Sequence, residues 1–124
     1  MSNPTLIKSL TAGAAIAPFR ILKFSAAETV IQAAAATDSL VCVSNEVGAA
    51  SGERQDVIVE GIVFIEASAA FVPGTPITSD AVGRAVTAAP AAGVNNRIIG
   101  FAWDAAAATG DIVRVLLSPG VMQG

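Results

Sequence analysis

The sequence predicts an all-β domain, mainly antiparallel: a small β-barrel or sandwich with an extended N-terminal arm and at most one short helix. Three observations predict it. The chain has 124 residues, the length of one ordinary domain. From Phe19 onward its apolar residues come in short runs rich in Val and Ile, which fit a pleated, half-buried surface. Turn residues punctuate those runs at Asn45, Gly48, Ser51-Gly52, Pro73-Gly74, Asp80, Gly83, Pro90, Gly93, Asn95-Asn96 and Gly110, at about the spacing found in barrels and sandwiches.

The elements follow in order. Residues 1–18 have no clear period and are bracketed by Pro4 and Pro18; they are expected to form an arm that docks on something else. Residues 19–124 form the single β-rich domain. Its first strands are FRILKF (19–24), with Arg20 and Lys23 as polar marks, then ETVIQAA (28–34) and SLVCVS (39–44). In QDVIVEGIVFIEA (55–67), Val57, Ile58, Val59, Ile62, Val63 and Ile65 make a strand, and Gly61 in its middle marks a bulge or sharp bend. PITSDAVGRAV (76–86) is a hairpin with a loop of about four residues, because Asp80 can bond backbone amides and Gly83 supplies positive φ. RIIGFAW (97–103) places Phe101 and Trp103 on one face at period two. DIVRVLLS (111–118) is apolar on nearly both faces, so it is expected to be central or covered on both sides. QAAAATDS (32–39) and WDAAAATGD (103–111) have helix-favouring composition, but isolated helices below about 12 residues are marginal. One helical turn, with Asp104 as its cap and Gly110 at its end, is the most they predict.

Composition excludes several functions. Hydrophobic residues make up 53% and charged residues 14%, against about 25% charged in typical domains. So little charge implies that other chains cover much of the surface. Net charge is −3 and the seven cations (Lys8, Arg20, Lys23, Arg54, Arg84, Arg97, Arg114) are scattered, which argues against nucleic acid as a partner. No stretch stays apolar for the ~20 residues a membrane helix needs, so no membrane partner is expected. The first residues loosely imitate a secretion signal, but Lys8 follows two apolar residues and Gly13 interrupts the short apolar run.

No constellation of residues carries chemistry. Histidine is absent, so a nucleophilic Ser79 lacks its usual base, and neither Lys8 nor Lys23 lies in a Ser-Lys motif. The single cysteine, Cys42, reads as a small buried apolar residue. Zinc lacks ligands, and no loop gathers three of the ten carboxylates for calcium or magnesium. Glu60 and Glu66 frame the strand bend and read as outward positions rather than paired acids. There is no phosphate-binding glycine loop. Phe101 and Trp103 read as core or interface anchors. No catalytic, metal or cofactor site is expected.

VEGIVFIEASAAFVPGTPITSDAVGRAVTAA followed by RIIGFAWDAAAATGDIVRVLLSPG resembles the small capsid cement, or decoration, proteins of tailed bacteriophages. The shared pattern is a strand ending in Glu-Ala, then Pro-Gly-x-Pro-Ile-Thr-Ser-Asp, a glycine hairpin with Arg-Ala-Val, Ile-Gly-x-Ala, an alanine-rich connection and Gly-Asp-Ile-x-Arg-Val-Leu-Leu. The resemblance covers about residues 19–120. It implies a structural protein of the virion, without catalysis, on the outer surface of the icosahedral head, reinforcing contacts between capsomers of the major capsid protein. A homotrimer would match local capsid symmetry, as a dimer would at a two-fold seam. The arm then supplies capsid contacts through Pro4, Leu6, Ile7, Lys8, Leu10, Ile16 and Pro18, joined by apolar strand edges. A head-associated adaptor or fibre base is the alternative, and a small hydrolase the remotest one.

Overall fold

The computed structural model describes residues 3–124, with side chains described from Leu6 onward. Its strands are β1 (Asn3–Ala12), β2 (Ile21–Ala26), β3 (Thr29–Gln32), β4 (Leu40–Ser44), β5 (Arg54–Glu66), β6 (Pro76–Ser79), β7 (Ala85–Thr87), β8 (Asn95–Ala102) and β9 (Ile112–Gln123). All strand pairings are antiparallel except β1 with β3. No helix occurs among the described residues.

Five strands close on themselves in the circuit β1-β3-β2-β4-β5, with β5 returning to β1. The remaining strands continue from β5 in the order β9-β8-β6-β7. A parallel bridge from Ala85 to Ala67, just past β5, ties the far edge back. β5 serves both halves because it bends at Gly61, whose φ is 112°. Before the bend it pairs with β4 at Val57 and Ile58. After it, Ile62 to Glu66 pair with β9.

Two cores result. Leu10, Leu22, Val30, Cys42 and Val57 fill the barrel, with Ala12, Ile16 and Ala49. Ile21, Leu40, Val43 and Ile58 point the other way and pack with Val63, Ile65, Ile77, Ile99, Val113 and Val115. Neighbours such as Leu22 and Ile21, or Val57 and Ile58, therefore serve different cores. This is why these strands read as continuous apolar runs rather than clean alternation: both of their faces are covered. Removing one such side chain, as in Ile99→Ala, costs about 2–5 kcal/mol.

Several sequence expectations change in detail. Of the expected arm, 1–18, residues 3–12 form β1, and from Asn3 to Thr11 it pairs with β5 of its own chain. Neither alanine-rich segment forms a helical turn. In both, an aspartate takes the backbone donors a helix would need: Asp38 accepts from the amides of Ala34 and Ala35, and Asp111 from those of Ala107 and Ala108. Such local bonds compete with helix. Asp104 caps nothing there, because it binds Arg114.

The hairpin of β6 and β7 forms as expected, with a loop over 80–84. Asp80 Oδ1 accepts from the amides of Val82 and Arg84 at 2.9 and 2.8 Å, and Asp80 Oδ2 accepts from Arg84 Nε at 3.0 Å. The loop then seats on the barrel. The Ile21 amide donates to the Gly83 carbonyl at 2.7 Å, and Arg20 and Gln32 both donate to the Val82 carbonyl.

Candidate functional site

The groups that resembled chemistry are accounted for structurally. The Ser79 hydroxyl donates to the Asp80 carbonyl at 2.9 Å, inside the hairpin. Cys42 is a buried free thiol, and burial pushes its pKa up to about 12, which keeps it protonated and unreactive. Glu66 is held 3.3 Å from Arg20 and 3.9 Å from Arg84. Among the described residues, no group of three potential metal ligands gathers.

What the surface offers is apolar. Phe101 stands directly opposite Leu116 across β8 and β9. Ile112, Arg114 and Leu116 alternate along one face of β9, and Ile62 and Phe64 of β5 pair with Leu116 and Arg114. Phe101 is 39%, Trp103 50%, Ile112 43% and Leu116 38% exposed. The charges in this face are paired among themselves: Arg114 with Asp104 at 2.9 Å, and Glu66, opposite Ile112, with Arg20 at 3.3 Å and Arg84 at 3.9 Å. The Arg114 hydrogen bonds hold the Asp104 carboxyl below its usual range. The sheet thus shows a nearly neutral apolar face carrying two large aromatic side chains. Phe101 and Trp103 lie on the surface, not in the core. β9 is central, as expected, but only Val113 and Val115 of its apolar residues up to Leu116 are buried. Its second face is the one left open, and the two-faced apolarity of DIVRVLL was the signal.

The residues singled out in the N-terminal stretch fall into two groups. Leu6, Ile7, Lys8 and Pro18 are exposed, whereas Leu10 and Ile16 lie in the barrel core. The side chain of Pro4 lies outside the described ones. Lys8 and Leu10 also wall a cavity of about 300 Å³, with Phe24, Glu28, Val41, Cys42, Val57 and Val59. Phe24, 52% exposed at its rim, drew no attention in the sequence. It pairs with Val30 of β3 next to a register shift between Phe24 and Ala26, which no local motif announces.

A family model described as phage cement protein matches residues 5–117. The chain belongs to the phage cement protein family. The match takes in β1 from residue 5 and runs on into β9. The fold is also similar to a solved structure, the head fiber gp8.5 N base in bacteriophage phi29. The TM-score is 0.69 over 91% of this chain and 93% of that one, at 18% sequence identity. That likeness is one of fold. Among curated proteins, none matches the sequence.

Proposed function

We propose that this protein decorates the outer surface of an icosahedral phage head, binds the major capsid protein, and stabilises the contacts between capsomers. The observation that carries the reading is the neutral, aromatic face of β8 and β9 on a member of the cement family. An apolar face of this kind is costly to leave in water and marks a partner surface. The copies assemble as a homotrimer through Phe101, Trp103, Ile112 and Leu116. The exposed N-terminal residues Leu6, Ile7, Lys8 and Pro18 are left to meet the capsid. Many copies, each adding a few kcal/mol at a seam, favour the closed shell by mass action.

Co-sedimentation with expanded heads lacking the protein tests this. Saturable binding in multiples of three per site supports it. No association at protein concentrations far above those in an infected cell contradicts it. A second reading, a fibre base or adaptor on the same head, draws support from the fold likeness to the phi29 head fiber base. It predicts binding that leaves head stability unchanged.

A further inference from the structure

We infer that the free edge of β1 and the cavity beside it form a docking site for an extended segment of the capsid shell, added as a strand. The inference rests on the decoration reading above. β3 pairs with β1 only at Thr11 and Ala12. N-terminal to Thr11, β1 keeps β5 on one edge and, among the described residues, has no strand on the other. The backbone alternates. The Ala12 amide donates toward β5, to Glu53 at 2.8 Å, and the Thr11 amide donates the other way, to Glu28 at 2.9 Å. The same alternation aims the amides of Ser9 and Ile7, and the Ile7 carbonyl, at the side β3 has left. The Ser9 carbonyl is already taken by Arg54, at 2.8 Å.

The cavity lies where the strands part. Lys8 and Leu10 form its β1 wall, Phe24 and Glu28 the wall on the β2–β3 hairpin, and Cys42 and Val57 its floor. An added strand would find main-chain donors along β1 and an apolar hole for one inward side chain. Pairing of this kind takes affinity from main-chain bonds and specificity from pockets for alternate side chains.

The walls also state the guest's chemistry. Lys8 and Leu10 are two residues apart, so two alternate guest residues face them. The guest carries a medium-sized apolar side chain opposite Leu10 and a carboxylate opposite Lys8. Lys8 and Glu28 are not joined as an ion pair among the described residues, and Glu28 disfavours a guest that is acidic throughout. A second copy fits less well. The open edge of β9 beyond Leu116 reads LSPGVMQ and contains no carboxylate.

Ile7→Pro tests the main-chain bonds directly. It removes an amide that faces away from β5, a place where an edge strand tolerates proline. Wild type and variant are compared for melting and for binding to heads lacking the protein. The expected result is a cooperative melt close to wild type with binding weakened at least fivefold. A smaller loss overturns the inference while leaving decoration intact. If Ile7→Pro does not fold, Lys8→Glu decides by the same threshold. If Ile7→Pro instead abolishes self-association without heads, the occupant is a second copy and the capsid assignment is wrong. Failure of the wild type to bind heads removes the decoration reading, and this one with it.

Discussion

Asp80 shows how one residue replaces a reactive-looking loop with a structural one. Its carboxylate bonds two amides and a guanidinium of its own hairpin. Burial pushes its pKa up, but the bonds from Val82 and Arg84 outweigh that, so the group stays lowered from 3.8. A carboxyl with a lowered folded pKa adds stability above its unfolded pKa and loses it as pH falls through the folded value. Asp80→Asn should therefore cost about 2 kcal/mol at pH 7. The gap to wild type should narrow below about pH 4, as both the unfolded and the folded Asp80 protonate. Denaturant titrations of both proteins between pH 7 and 3 check this, and a pH-independent gap would refute it. Gly83 acts beside it. Its φ is +81° and a Cβ there would sit 2.8 Å from the Ile21 carbonyl oxygen. Gly83→Ala should cost at least the ~1–2 kcal/mol of a left-handed non-glycine residue, with extra loss from unseating the loop, measurable as a lowered melting temperature. Phe19 adopts the same region at φ 60°. Its backbone bonds to Asn45 and Glu66 hold it there, and its ring meets Phe64 edge-on at 6.3 Å.

At the scale of elements, β5 and β9 explain what the sequence did and did not announce. The strand composition of DVIVEGIVFIEA and the bend at Gly61 were legible, because β-branched runs and a lone strand glycine have local causes. So was the hairpin of β6 and β7, whose turn chemistry is complete within the loop. The fate of 3–12 was not legible. β1 is specified by its register against β5, some fifty residues away, and nothing in NPTLIKSLTA itself names that partner. The cavity was hidden for the same reason, since eight residues from four strands and a turn line it. The open face of β9 was half legible. Its apolarity on both sides was plain, but which side lacked a cover depends on where β2, β4 and β5 pack. That face gives its own test. Trp103→Ser should leave the monomer's stability within about 1 kcal/mol, because the side chain is half exposed. It should weaken self-association by at least ~30-fold, the scale of an aromatic hot spot. Sedimentation equilibrium reads both species. An unchanged assembly would remove Trp103 from the interface.

The whole molecule is low in charge and leaves large apolar side chains exposed, which suits the contact function proposed above. Fourteen per cent charged residues would be a poor surface for a free monomer, and it becomes a suitable one when neighbours cover it. The two halves share β5 and are joined by the 80–84 loop, so the apolar sheet face and the β1 edge belong to one connected frame. On the proposed function, two such surfaces on one frame would let it bridge capsomers. The central claim is that such bridging stabilises the head, and the thermal rupture of heads tests it most directly. Heads lacking the protein are titrated with it, and DNA release is followed on heating. The rupture temperature should rise with occupancy and level off at saturation. Saturable binding with an unchanged rupture temperature would contradict it.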